Sequence, residues 1–275
     1  MKRQKITSFL LRFAVYFAAA VTVGALVFVV GYILIKGVPN LSLKLFEWRY
    51  STENLSLLPA LLNTVLMTLL SLVIAVPLGV FAAIYLVEYA RRGSRLVRII
   101  RMNAETLSGI PSIVYGLFGM LFFVTYLKLG FSMLSGALTL SIMILPVVLR
   151  TSEEALMSVP DSFREGSFGL GAGRLRTVFR VVLPDAVPGI LAGVILGVGR
   201  IVGETAALIY TAGTASDTVS GLMDSARTLS VHMYALSQEG LYINQTYATA
   251  VVLLVIVVGI NALSASLAKR VGRRR

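Results

Sequence analysis

Two side chains in this sequence stand where charge is costly. Arg200 and Glu204 interrupt an otherwise apolar stretch, 186–212, and at four residues apart they are expected on one helix face. If that helix crosses a bilayer, each charge near its centre costs roughly 2.5–3.5 kcal/mol on insertion scales, so such residues face protein or a water cavity and carry a task. Arginine suits a tetrahedral oxyanion, because its planar fork donates two hydrogen bonds and stays charged at any working pH. A glutamate one turn away would hold the arginine while the path is empty and repel an entering anion, making the pair a gate or weak relay. The alternative is a self-neutralised pair that only holds helices together. Hydroxyl and amide side chains recur in the neighbouring apolar runs (Asn63, Thr64, Thr68, Ser71, Ser108, Ser112), and Thr205 follows Glu204. Such groups can line a polar path through a bundle. Close helix packing explains most of the accompanying glycines, including Gly189, Gly193, Gly197, Gly199 and Gly203.

The chemistry that is missing narrows the field. None of the six lysines follows a glycine, so no Gly-x-x-x-x-Gly-Lys phosphate loop exists and any ATP hydrolysis belongs to another polypeptide. There is no cysteine, which excludes disulfides and thiolate chemistry. No Ser-His-Asp set, paired carboxylates or metal-ligand cluster stands out. His232, the one histidine, falls in the segment 213–246 and is expected to be a surface or partner-contacting residue. The chain is expected not to be an enzyme by itself and to need no cofactor.

The elements that hold these residues are membrane-sized. Of 275 residues, 57% are hydrophobic and only 14% charged, against about 25% charged in soluble domains. Uncharged runs occupy 13–35, 54–87, 106–127, 129–149 and 240–268, and the stretch 186–212 makes a sixth. A spanning helix needs roughly 20 apolar residues, so six spans are expected, the second near 58–87. The first run has a basic start, but its 23 uncharged residues exceed the roughly 7–15 of a signal-peptide core. It is read as a retained helix. Segments 1–12, 88–103, 150–185 and 269–275 hold four, five, five and five basic residues, whereas 36–53, 128 and 213–239 hold three, one and one. That bias puts both termini in the cytoplasm. It also removes nucleic acid as the partner of the +12 net charge, since the basic residues are spread over four loops. Glu105, close after Asn103, is expected in a first helical turn, where a carboxylate complements the helix dipole.

The segment 150–185 carries the most local information. Pro160 and Asp161 mark a helix start, and 161–170 makes about three turns. Gly171 then supplies a left-handed corner. Leu175, Val178, Phe179, Val182 and Leu183 repeat at helical spacing with Arg174, Arg176 and Arg180 off the stripe, which predicts an amphipathic helix lying along the inner membrane surface. Pro184 and Pro188 mark the passage into the fifth span.

Glu165-Gly166-Ser167, three residues, Gly171, nine residues and Val181-Val182-Leu183-Pro184 resemble the EAA loop of ABC-importer permeases. The two alanines of that pattern are replaced here by Gly166 and Ser167, and its isoleucine by Val181. Further stretches resemble phosphate-importer permeases: Asn103 to Leu117 around Ser108-Gly109-Ile110-Pro111-Ser112, Gly199 to Ala206, and Pro77-Leu78-Gly79 with Ala83 to Tyr89. The likeness covers about 55–268. The short first external loop and Ala83-Ile84-Tyr85-Leu86 favour the PstA type of subunit over its PstC-like partner.

The resemblance implies an all-α integral membrane protein with six transmembrane helices and the MetI-like, type I ABC importer permease fold. It divides the chain into an N-terminus (1–12), a first helix (13–35), a permease domain (55–268) with its cytoplasmic coupling loop (150–185), and a basic tail (269–275). It also implies import of inorganic phosphate across the bacterial inner membrane, with a PstC-like permease, a PstB-like ATPase dimer and a periplasmic phosphate-binding protein as partners. Ser162, Phe163, Glu165, Phe168, Gly169 and Gly171 would form the ATPase-coupling surface. Arg200, Glu204, Thr205, Ser108 and Ser112 would line the substrate path. A permease for sulfate or molybdate shares the loop and the fold. A proton-coupled transporter lacks a use for the Glu165, Gly171, Leu183-Pro184 spacing, and a purely structural subunit lacks a use for Arg200.

Overall fold

The computed structural model describes residues 2–91 and 93–272, so Met1, Arg92 and the last three residues of the basic tail lie outside the described residues. All regular structure among the described residues is helical. Helix α1 (Lys2–Gly37) is followed by two short 3-10 turns, then α2 (Leu58–Ile84), which continues as a π-helical turn, Tyr85–Tyr89. Next come α3 (Arg95–Ser108) and α4 (Ser112–Gly119), the latter prolonged by a π segment, Met120–Tyr126. After α5 (Met133–Met157) and α6 (Asp161–Gly169), α7 (Arg174–Thr177), a π turn (Val178–Val182) and α8 (Leu183–Val202) run on without a gap. The chain closes with α9 (Ala206–Ile209), α10 (Leu229–Glu239) and α11 (Ile243–Gly272).

Five helical stretches are long and apolar enough to span: Ser8–Asn40, Leu58–Tyr89, Met133–Met157, Arg174–Val202 and Ile243–Leu263. The sixth is the pair α3 and α4, bent by 102°. Six spans are therefore met only with the third one broken. Four expectations change here. The uncharged run 106–127 is not one helix, because Gly109 and Ile110 close α3 with turn bonds to Thr106 and Leu107 and Pro111 opens α4 in an extended conformation. Glu105 lies in the last turn of α3 rather than a first turn. The fourth helix extends through Glu153 and Glu154 to Met157, past the charge that bounded the run. Finally, 174–183 is no separate surface helix: it is the first third of a 29-residue helix.

The core is built by α2, α5 and α8 packed side by side. Met67, Leu140, Met143, Ile144, Ile201 and Leu208 are buried in its outer half, and Ala83, Ile84, Leu156, Val178 and Val182 in its inner half. Thr64, Thr68, Ser71 and Ser141 give their hydroxyls to the carbonyl four residues back, so they satisfy themselves inside the bundle rather than line an open path. Asn63 does more. Its amide bonds the carbonyls of Asp217 and Arg227 and accepts from the Val219 N–H, tying the segment before α10 onto α2. Helix α1 packs on α11 alone among the spans, with Tyr32 edge-on to Tyr247 at 5.7 Å, and the rest of its apolar surface is exposed for lipid.

Candidate functional site

The two charges of the fifth apolar stretch do not share a helix. Helix α8 ends at Val202, and the backbone leaves it through Gly203 and Glu204. The Glu204 carboxylate accepts the Ala207 N–H at 3.0 Å, which caps the short α9, and its carbonyl accepts from the Ser230 hydroxyl at the start of α10. Glu204 is therefore a buried structural joint. The i,i+4 pair expected from spacing requires α-helix through both positions; the turn at Gly203 removes it. Among the described residues Arg200 forms no salt bridge.

Arg200 is half-buried in the last turn of α8, and α4, which carries Tyr115, packs on the α9 segment that follows it. Tyr115 is itself a clasp: its hydroxyl donates to the Leu107 carbonyl at 2.7 Å, across the 102° bend. Ser112 lies one turn before Tyr115 on the same helix, half-buried. Ser108 sits on the other side of the bend, and its hydroxyl is turned onto the Ala104 carbonyl at 3.0 Å. Ser108 and Ser112 thus lie on either side of the bend that Tyr115 clasps, a residue the sequence reasoning missed, while Arg200 stands on α8 just before the segment that α4 packs on. Thr205 is turned back toward the Gly203 carbonyl at 3.5 Å. The short span is pressed against the segment after Glu204: a Cβ on Gly116 would lie 2.8 Å from the Ala207 Cα.

At the other end of the bundle, α6 has no buried residue. Ser162, Phe163, Glu165, Phe168 and Gly169 are all exposed, Gly171 follows with φ +83°, and Leu170 is 91% exposed. Every residue expected in the coupling surface lies on or beside this exposed face, which carries Phe163, Phe168 and Leu170. Sequence reasoning counted Arg164 only as a loop charge. The structure buries its side chain to 13% exposure against Glu88, at 8%, with 2.8 Å between them. The available signal was Glu88 as the sole acid among the arginines of 88–103. Beside this contact a cleft of about 900 Å³ opens between the end of α2, α3 and α6. Arg101 closes one wall on Glu153 at 2.7 Å, and Arg174 lies over the Tyr89 ring at 5.7 Å.

His232 corrects its expectation as a surface residue. It is buried in α10, edge-on to Tyr50 at 5.9 Å, and the Arg227 guanidinium covers the same ring at 5.6 Å. Burial first, then the Arg227 charge, lowers its pKa to about 4 against a hydrogen bond to the Leu55 backbone that raises it. It is a neutral packing histidine at ordinary pH. Among the described residues no group of three or more His, Cys, Asp or Glu could hold a metal ion.

Known proteins resemble the chain over most of its length. It is 34% identical over 238 residues to the probable ABC transporter permease protein YqgI of Bacillus subtilis, covering 81% of each chain. It is 34% identical over 211 residues to the phosphate transport system permease protein PstA of Mycobacterium leprae, covering 75% of this chain and 68% of that one. The PstA protein of Pasteurella multocida is 40% identical over 182 residues, 66% of this chain and 64% of its own. Among solved structures, a chain of the MetNI methionine ABC transporter superposes with a TM-score of 0.58 at 19% identity, over 88% of this chain and 97% of that one. A chain of a bacterial alginate ABC transporter reaches 0.66 at 16% identity, over 94% and 96%. These two establish the fold alone. Residues 75–275, which hold the bend, Arg200 and the exposed α6, match the binding-protein-dependent transport system inner membrane component, and the chain belongs to that family of multi-pass importer permeases.

Proposed function

We propose that this chain is the PstA-type half of an importer of inorganic phosphate in the bacterial inner membrane. Its partners are a PstC-like permease, a PstB-like ATPase dimer and a periplasmic phosphate-binding protein. The observation that carries the reading is Arg200, a guanidinium in the last turn of α8 that among the described residues has no carboxylate partner, in a chain with relatives named as phosphate permeases. A fixed positive group offsets part of the cost of moving an anion through an apolar bundle. Of the two hydroxyls at the bend, Ser112 can donate to phosphate oxygens, whereas Ser108 does so only by giving up its bond to the Ala104 carbonyl. Glu204 serves this path indirectly, by capping α9.

The basic residues of 1–12, 88–103, 150–185 and 269–275 support cytoplasmic termini. A reporter fused after Arg176 is then cytoplasmic and one after Asp224 external. Residues 55–268 form the permease domain and 13–35 its added first span. In 150–185, the exposed strip of α6 docks on the ATPase through Phe163, Phe168 and Glu165, with Ser162, Gly169 and Gly171 beside them. The decisive experiment reconstitutes the complex in liposomes and measures labelled phosphate uptake with sulfate and molybdate as competitors. Competition by phosphate alone supports the assignment. Equal competition by sulfate or molybdate transfers it to another oxyanion permease.

A further inference from the structure

Helix α6 faces a mechanical problem. A helix that receives force from another subunit must be fixed to the spans it moves, yet α6 buries none of its residues. It rests on the start of the fifth span without burying a residue there, so hydrophobic packing, the usual anchor of an amphipathic helix, is weak, and polar ties made by Arg164 carry much of its attachment.

The Arg164 guanidinium uses all five of its N–H donors. Its Nε and Nη2 both reach Glu88 Oε1, at 3.1 and 2.8 Å. The second Nη2 donor goes to the Leu156 carbonyl at 2.9 Å. Nη1 supplies the Val159 carbonyl at 2.7 Å and Asp161 Oδ1 at 3.3 Å. One planar group therefore joins three elements. Glu88 lies in the π turn that ends the second span, Leu156 belongs to the last turn of α5, and Arg164 itself belongs to α6. The Leu156 carbonyl lies in the last turn of α5 and the Val159 carbonyl just beyond it, where a helix end has spare acceptors. A second tie, between the hydroxyls of Ser167 and Thr177 at 2.8 Å, connects α6 to the start of the fifth span.

Taking α6 as the helix that docks on the ATPase, we infer that Arg164 is the positioning residue that couples it to the transmembrane path, acting through Glu88 on the second span and through the Leu156 and Val159 carbonyls on the fourth. The second span ends in a π turn, a form that recurs at functional sites and that here carries Glu88 at its fourth position. Movement of α6 pulls on that turn through a buried ion pair instead of through a hydrophobic contact that could slip. Lysine cannot replace this arginine, because an ammonium has three donors and no fork.

The test uses the complete complex in liposomes and reads phosphate imported per ATP hydrolysed. Arg164→Lys and Glu88→Gln are each expected to lower that ratio by about tenfold or more, while the ATPase still co-purifies at wild-type stoichiometry. Because both act on one contact, the double variant should be no worse than the worse single, whereas independent sites would multiply their losses. Glu88→Gln is isosteric and tests the link even if Arg164→Lys fails to accumulate in the membrane. A wild-type ratio in Glu88→Gln, or multiplied losses in the double variant, overturns the assignment. Phe163→Ala, on the exposed strip, separates the two ideas: it should release the ATPase altogether. If Phe163→Ala leaves ATPase binding intact, the docking reading of α6 fails, independently of what the Arg164 variants do.

Discussion

Residues 95–126 and 174–202 begin alike and end differently. Each opens with arginines at helical spacing and passes, near a proline, into an apolar segment. The first is bent by 102°, leaving a span of 15 residues, Ser112–Tyr126; the second is one helix of 29 residues. At 1.5 Å per residue these are about 22 and 44 Å, against a hydrocarbon layer of about 30 Å. The short one leaves its arginine-rich helix α3 to lie across the end of the bundle, with Leu96, Ile99 and Met102 exposed. The long one carries its arginines on the bundle's own axis. Proline alone does not decide between these outcomes, since Pro77, Pro146 and Pro188 all sit inside helices. The difference is local. Gly109 and Ile110 close α3 in turn bonds just before Pro111, whereas Pro184 follows a π turn, Val178–Val182, whose wider ring absorbs the missing N–H.

The comparison is tested most strongly where the two segments meet. Arg200 ends the long helix just before the α9 segment, on which the short span packs. Arg200→Gln should reduce phosphate uptake by about 100-fold or more at equal membrane abundance, with complex assembly unchanged, and Arg200→Lys should be intermediate. Wild-type uptake by Arg200→Gln would leave this junction a packing device. Glu204→Gln should assemble normally, because the amide oxygen still accepts the Ala207 N–H. Glu204→Leu loses the cap and should cost about 1–2 kcal/mol in thermal stability of the detergent-solubilised complex.

A smaller effect is expected from packing at the same junction. Gly116→Val puts a Cβ 2.8 Å from the Ala207 backbone and should destabilise the complex by about 1–3 kcal/mol. Gly166→Ala, where nothing lies within 4 Å, is the control and should stay within about 0.5 kcal/mol. The bend itself is tested by Gly109→Ala with Pro111→Ala. Removing both stops lets α3 continue into α4 and breaks the Tyr115–Leu107 clasp, and uptake should fall by roughly tenfold. Since the chain has no cysteine, Met102→Cys reports the change through its labelling by an impermeant thiol reagent. Unchanged labelling in the double variant would mean that tertiary packing, not Gly109 and Pro111, makes the bend. The smallest effect belongs to Pro184→Ala: the π turn already accommodates this proline, so stability should change by less than about 1 kcal/mol and uptake by less than twofold.

How much of this was legible in the sequence depends on the range of the interaction. The uncharged runs marked where five spans lie, because burial in lipid requires long apolar segments whatever the partners. The short helix at 161–169 and its left-handed Gly171 were also legible, since a helix start and a glycine corner are local chemistry.

The site was legible by residue but not by arrangement. Arg200 and Glu204 stood out as charges in an apolar stretch, yet their spacing suggested a pair only on the assumption of unbroken helix. The turn at Gly203 is stabilised by Ala207 and by Ser230, the latter 26 residues away, and no periodicity contains that information. The same holds for Arg164 and Glu88, 76 positions apart. His232 looked exposed because it lies between spans, whereas it is buried with Tyr50 edge-on against it and Arg227 over the Tyr50 ring.

By itself, then, the sequence determined what each segment must do with respect to water and lipid: which runs are apolar enough to span, which segments carry the basic charge, and where the short helix at 161–169 is closed by a glycine. Those are properties of transfer free energy and local backbone preference, summed over neighbouring residues. Only the tertiary structure decided which charges meet. It separated Glu204 from Arg200, bent the third span at Gly109 and Pro111 and pinned it with Tyr115, and spent the five donors of Arg164 on three elements. Each of these is a hydrogen bond or ion pair between groups whose approach is fixed by the packing of whole helices, and packing is set by all the spans at once.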